Sequence, residues 1–325
     1  MTWLHRYAKL VVASTVLLIA AGGMVTSTGS GLSVPDWPNT YGQFMFSFPL
    51  DKMVGGILYE HGHRMIASTV GFLTIILAVW TWRVDPRPWM RKLGFAALGA
   101  VILQGLLGGL TVLFLLPPAI SIGHAALAQL FFCSTVAIAL FTSAGWRAAS
   151  TLPDDRSLRV RALTTTGLVY LQILMGATMR HNQAGLAIPD FPLAFGSILP
   201  PVWNPGIAIH FAHRLGAVAV LIAASLTVAR VWTVHRNVPE LRRPALCLVA
   251  LVLLQGTLGA FVVWSGLQPV INTAHVANGA LVLGTSLILT LRSCRPLFAN
   301  VPARVQPAGS AARSYDRTAT DGARP

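Results

Sequence analysis

The chain is predicted to be an all-α integral membrane protein, with eight transmembrane helices forming two parallel-repeat four-helix bundles. Three observations lead there. First, 54% of the 325 residues are hydrophobic and only 10% charged, with a mean hydropathy of +0.64, whereas a soluble globular chain usually carries about 25% charge. Second, the apolar residues gather in blocks of roughly 18 or more, the length a helix needs to cross a bilayer. Third, short motifs recur at a nearly constant offset, so the second half repeats the first. The blocks are continuous and do not alternate with period two, which excludes a β-barrel. The low charge excludes a disordered chain and a coiled coil.

Each span is read with its flanks. The first, about 9–28, follows Arg6 and Lys9. A signal peptide starts the same way, but this span has a counterpart later in the chain, so it is read as a retained helix. A long segment, 29–55, leads to the second span, about 56–81. The next connection carries Arg83, Arg87, Arg91 and Lys92 before the third span, about 93–115. A short link leads to the fourth, about 119–142, which ends at a connection holding Arg147, Arg156, Arg159 and Arg161. The fifth span, about 162–180, opens the second half. Another long segment, 181–206, precedes the sixth, about 207–229. Arg230, Arg236, Arg242 and Arg243 separate it from the seventh, about 244–264. The eighth, about 270–291, is followed by Arg292, Arg295, Arg304, Arg313, Arg317 and Arg324. With eight spans, 20 of the 24 basic residues fall on one side. The net charge of +14 therefore reports topology rather than nucleic-acid binding. It implies a cell (inner) membrane protein with both termini cytoplasmic.

The repeat is the most informative feature. Gly31-Leu32-Ser33-Val34-Pro35-Asp36-Trp37-Pro38 recurs as Gly185-Leu186-Ala187-Ile188-Pro189-Asp190-Phe191-Pro192. His63-Arg64 recurs as His213-Arg214, Gln104-Gly105 with Gly108 as Gln255-Gly256 with Gly259, and His124 as His275. An even number of spans per half gives both halves one orientation, related by an axis along the membrane normal. The expected units are an N-terminal half, 1–150, a C-terminal half, 151–295, and a disordered cytoplasmic tail, 296–325, rich in Pro, Ala, Ser, Thr, Gly and Arg. Cys133, Cys247 and Cys294 form no CxxC and read as small apolar packing residues.

Ionisable side chains inside a bilayer are costly and functional by default. His63, His124, His213 and His275 stand at repeat-equivalent places, each near the start of an inward-running span. They share one depth near the outer face. Two neutral imidazoles facing each other across a four-helix bundle suit six-coordinate haem iron. Gly105, Gly108, Gly109, Gly256 and Gly259 either make room for a porphyrin or serve close helix packing. Arg64 and Arg214 either meet a haem propionate or snorkel to the interface. Glu60, one helical turn before His63, breaks the repeat, because His210 stands at its equivalent position. A carboxylate there is a base or charge stabiliser, or else an ion-pair partner of Arg64. His61 points away from Glu60 and reads as structural. His5, His181 and His235 are expected to be solvated, and Asp36 and Asp190 to cap turns in the outer loops.

At this point the chain resembles the haem A synthase family. The resemblance rests on the Gly-rich loop ending Pro35-Asp36-Trp37-Pro38, on Glu60-His61-Gly62-His63-Arg64, on His213-Arg214, and on His124 and His275 in the fourth and eighth spans. It covers about residues 5–295. It implies an oxidoreductase that oxidises the C8 methyl of haem O to a formyl group by successive hydroxylations with oxygen from water, giving haem A. It implies that His63 and His124 hold the substrate haem, that Glu60 serves the oxidation, and that His213 and His275 hold a haem b cofactor. Haem O is then the substrate. A haem O synthase, an unidentified electron acceptor and a second copy of the chain are candidate partners, in the lipid bilayer and without nucleic acid. Many bacterial relatives carry a Cys pair in the first outer loop. Here Val34 and Thr40 stand at those positions, and Ile188 and Ala194 at the equivalent ones. The chain resembles the cysteine-free subset, and its activity is expected to be independent of a loop disulfide. A di-haem membrane cytochrome explains the four histidines equally well but not Glu60. A transporter with parallel repeats predicts polar residues at the midplane instead.

Overall fold

The computed structural model describes residues 3–148 and 154–299. Among the described residues, eight helices are long and apolar enough to cross a membrane: α1 (Trp3–Ser27), α2 (Gly56–Val84), α3 (Pro88–Leu113), α4 (Pro118–Thr142), α6 (Arg156–His181), α7 (Pro205–Val234), α8 (Pro239–Trp264) and α9 (Pro269–Ser293). Two short helices, α5 (Ala144–Arg147) and α10 (Arg295–Ala299), follow α4 and α9. The protein is a multi-pass helical membrane protein, as the apolar blocks predict.

The helices extend beyond the predicted spans, mostly at the ends carrying the basic residues, because their first turns are punctuated in the sequence. Proline opens α3, α4, α7, α8 and α9, where its missing N–H costs nothing. The side chains of Asp155, Asn204 and Gln268 accept the N–H of Leu158, Ile207 and Ile271 and cap α6, α7 and α9. Pro244 lies inside α8 and leaves the carbonyl of Glu240 without its helical donor. The Arg292 guanidinium on α9 donates to that carbonyl instead.

Within each half the four long helices close a ring: α1–α2–α3–α4 and α6–α7–α8–α9. The halves meet where α1 packs on α9, α6 on α4, and α4 on α9. Since α1 is equivalent to α6 and α4 to α9, the first two contacts are mates and the third is self-paired. A two-fold axis between parallel repeats produces this pattern. The helices of the seam, α4 and α9, are the most buried of the eight. Gly284 of α9 leaves room there for the Phe132 ring, which a Cβ would approach to 3.0 Å. Within the second half, Thr166 of α6 and Thr290 of α9 hydrogen-bond at 2.8 Å.

At the basic end, Asp85 is fully buried and ion-paired to Arg87 at 2.7 Å and Arg147 at 3.3 Å. Phe298 of α10 packs against Trp89, Phe141 and Trp146, so the segment expected to be tail begins with an ordered turn. Residues 300–325, the rest of the expected tail, lie outside the described residues. His235, expected to be solvated, is buried, its Nε2 2.8 Å from Asp155. His5 is partly buried, its Nδ1 2.9 Å from the Ala139 carbonyl. Both lie where the longer helix ends come together. His181 is the last residue of α6 and half-buried.

Candidate functional site

The four repeat-equivalent histidines each lie about two turns after the start of α2, α4, α7 or α9, and each ring is seated on a glycine of a neighbouring helix. A Cβ on Gly22 of α1 would come 3.0 Å from His63 Cε1, and one on Gly176 of α6 would stand 3.0 Å from His213 Cε1. On α3 and α8, Gly108 and Gly259 do the same for His124 and His275, at 3.1 and 3.2 Å. Gly108 and Gly259 are among the glycines singled out in the sequence. Gly22 and Gly176 are not, and superposing the two halves on their loop motif finds them. Of the remaining glycines, Gly109 lies under the Trp37 ring, which a Cβ would meet at 2.5 Å. Gly105 and Gly256 face open space.

The rings are paired within halves: His63 lies in electrostatic range of His124, and His213 of His275. Glutamines reach three of them. Gln104 Nε2 donates to the His124 carbonyl (3.0 Å) and lies 3.1 Å from both ring nitrogens. Gln255 Nε2 stands at 3.1 Å from the His275 carbonyl and 3.2 Å from its Nε2. Gln172 Nε2 donates to the His213 carbonyl at 2.7 Å and lies 3.1 Å from its Nδ1. Among the described residues, Nδ1 of His63 and of His275 is buried without a protein partner. A buried ring nitrogen without a protein partner is otherwise an uncompensated cost. Paired imidazoles seated on glycine fit a haem iron with two axial nitrogen ligands.

The outer loops fold alike. Asp36 accepts the N–H groups of Tyr41 and Gly42, each at 2.8 Å, and Asp190 those of Phe195 and Gly196 at 2.7 and 2.8 Å. These turns need a left-handed pair, with φ of 50° and 73° at Tyr41-Gly42 and 57° and 74° at Phe195-Gly196. The N–H groups of Gly196 and Phe195 hold the Asp190 carboxyl below the ordinary carboxylate range. Burial raises the Asp36 carboxyl, but the N–H groups of Gly42 and Tyr41 outweigh it and leave it low as well. Both loops contain a cis X–Pro bond, at Trp37-Pro38 and Phe191-Pro192. The leucine ending each neighbouring hairpin rests on the first glycine of the motif: Leu116 on Gly31 and Leu267 on Gly185. Val34 and Thr40 are fully buried, as is Ile188, with Ala194 nearly so.

Glu60 is buried and fastens the first loop. Its Oε2 accepts the Val34 N–H at 2.7 Å, and its Oε1 pairs with Arg64 at 2.6 Å. His210, at the equivalent place, accepts the Ile188 N–H on Nδ1 at 3.3 Å. The terminal nitrogens of Arg64 donate to the carbonyls of Asp36, Asn39 and Val34, and those of Arg214 to Leu193, Ile188 and Asp190. Both guanidinium groups thus clamp the loops. Among the described residues, Arg214 Nε is buried without a partner. His61 turns into the first loop, its Nδ1 3.0 Å from Thr40 Oγ1 and its ring against Phe48. An apolar groove of about 490 Å³ opens between α2 and α3, lined by Trp37, Gly71, Ile75, Ile102, Gly105 and Leu106 among others.

Comparison with known proteins completes the picture. The family model described as cytochrome oxidase assembly protein matches residues 5–287. A protein of Symbiobacterium thermophilum named haem A synthase is 32% identical over 260 residues, covering 76% of this chain and 82% of its own length. The haem A synthase of Geobacillus kaustophilus is 28% identical over 320 residues, 95% of this chain and 97% of its own. That of Methylobacterium nodulans is 28% identical over 329 residues, 85% and 88% respectively.

Proposed function

The chain belongs to the haem A synthase family of cytochrome oxidase assembly proteins, and from that membership we propose that it oxidises the C8 methyl of haem O to the formyl group of haem A. It is an enzyme of haem A biosynthesis. The observation that carries the finer reading is the broken repeat: both halves seat two histidines on glycine, but only the first adds a carboxylate one turn before its first histidine. In this reading His63 and His124 bind the substrate iron, and His213 and His275 hold a haem b. When bound, haem b supplies a redox centre beside the substrate site.

Turning a methyl into a formyl group takes up one water and releases four electrons and four protons, in two two-electron stages through the alcohol. The protein must accept protons near the methyl carbon and steady the positive charge that develops there. Glu60 is the carboxylate at hand, held rigid by the Val34 N–H and by Arg64. Arg64 and Arg214 hold the loops through backbone carbonyls and would offer a positive charge to the propionates of a bound haem. The apolar groove between α2 and α3 suits the isoprenoid tail that distinguishes haem O. The long loops face the outside of the cell membrane and both termini the cytoplasm, by the distribution of basic residues. The reaction needs a supply of haem O and an electron acceptor, which makes an enzyme forming haem O and that acceptor the candidate partners.

Mass spectrometry of haems extracted from cells tests the reading. Haem A is expected with the gene, and haem O accumulating without it. Unchanged haem composition with a haem-loaded protein would turn the reading to a di-haem electron carrier.

A further inference from the structure

The two halves share their histidines, glycine seats and loop clamps, yet they differ in the polar groups beside the histidines. The offset that maps Gly22 onto Gly176 maps Leu18 onto Gln172. Gln172 ties α6 to α7 at His213, through the carbonyl at 2.7 Å and the ring at 3.1 Å. It fits because position 216 is glycine: a Cβ there would stand 2.1 Å from Gln172 Oε1. The first half has Ile66 at that place, and Leu18 and Ile66 both pack on the apolar core of their half. His63 consequently has no such tie, and its Nδ1 is a buried nitrogen without a partner.

The other ligand repeats the contrast. The offset that maps His124 onto His275 maps Leu127 onto Asn278. Asn278 Nδ2 donates to Gln255 Oε1 at 2.7 Å and to the Leu251 carbonyl at 2.9 Å. That fixes the Gln255 amide, whose Nε2 then faces His275. Leu127 offers no donor, and Gln104 Oε1 is buried unpartnered. The second half is not fully satisfied either, since Gln172 Oε1, Asn278 Oδ1 and His275 Nδ1 lack partners among the described residues. The difference is one of anchorage: both second-half histidines are tied by amides, and only one in the first half, by an amide with no anchor of its own.

Groups that orient a ligating histidine commonly change metal affinity by about 10–100-fold. We infer that Gln172, accommodated by Gly216, and Asn278 are positioning residues that make the second half a retaining haem site, while Leu18 and Leu127 leave the first half free to exchange haem. A catalyst that keeps one haem and turns over another needs this contrast, and the inference rests on the functional reading above.

The test is haem transfer from the purified full-length protein in detergent to excess apomyoglobin. Gln172→Leu and Asn278→Leu should each speed haem loss about 10–100-fold and alter the low-spin electron paramagnetic resonance signal, because ring orientation changes. Thermal unfolding is followed in parallel. Unaltered haem loss in both variants overturns the inference. So does a loss that only parallels earlier unfolding, with an unaltered signal in the folded fraction. The reciprocal variant, L18Q/I66G/L127N, should raise the haem retained per chain after purification, and an unchanged stoichiometry counts against the inference. His275→Ala keeps the two readings apart. If it still binds haem normally, the second-half site itself is misassigned, whatever the amide variants do.

Discussion

Glu60 does two things that a single side chain rarely combines. It fastens a loop through the Val34 N–H, as His210 does with Ile188, and it carries a charge that His210 does not. Glu60→Gln separates them, since the amide oxygen still accepts the N–H while the charge is lost. Turnover should fall by about 10²-fold or more, with haem O or the alcohol accumulating in membrane extracts and haem b retained. His210→Gln should be far milder. Equal losses would make both residues loop anchors and nothing more. The histidines carry a second prediction. His213→Ala or His275→Ala should abolish the low-spin haem b spectrum, while His63→Ala and His124→Ala should leave that spectrum and abolish haem A formation. At this scale the sequence was legible where a residue is costly in lipid: the histidines, Glu60 and the arginines stand out among apolar neighbours. Gly22, Gly176 and Gln172 do not, because glycine is ordinary in membrane helices and a lone amide is cheap. Their meaning lies in a partner some 40 residues away on another helix.

The helices themselves were legible in number and order but not in length. Apolar content marks the part of a helix in lipid, whereas caps and prolines set where it begins. The basic ends of α1, α6, α7 and α8 therefore run on past the predicted spans and enclose His5 and His235, which were expected to be solvated. Asp155 shows the effect. It caps α6 and meets Arg230 at 2.9 Å and His235 at 2.8 Å. Burial raises its carboxyl, but the hydrogen bonds from Arg230 and His235 outweigh that and hold it far below the ordinary range. A carboxyl depressed in the folded state stabilises fully above its unfolded value, near pH 4. That contribution is lost as pH falls through the folded value. Thermal unfolding in detergent should therefore show a midpoint that drops below about pH 4. Asp155→Asn should unfold at lower temperature near neutrality and show a shallower acid drop. An acid limb identical in both proteins would mean that the other carboxyls held low, Asp36, Asp85 and Asp190, account for it.

At the level of the whole molecule, topology follows from the eight spans and the sidedness of arginine and lysine. Reporter fusions near residues 45, 117, 195 and 267 should report the outside, and fusions near 87, 152 and 237 the cytoplasm. One inversion would break the parallel relation between the halves. That relation was visible in the sequence as recurring motifs, since a parallel repeat keeps its residues in register. How the halves dock was not, because α4 and α9 do not stand out in hydropathy among the eight spans and only packing sets them at the centre.

The mated contacts, α1 on α9 and α6 on α4 about the self-paired α4–α9 seam, have the form of an isologous interface between two copies of one subunit. A four-helix ancestor pairing in this way would have carried the same pocket twice. Any change in one pocket would have appeared at once in the other, so neither could specialise. Joining the copies into one polypeptide lifts that restriction while leaving the interface intact. Each position can then be altered in one half alone, and a carboxylate in one half can correspond to a histidine in the other, as Glu60 does to His210.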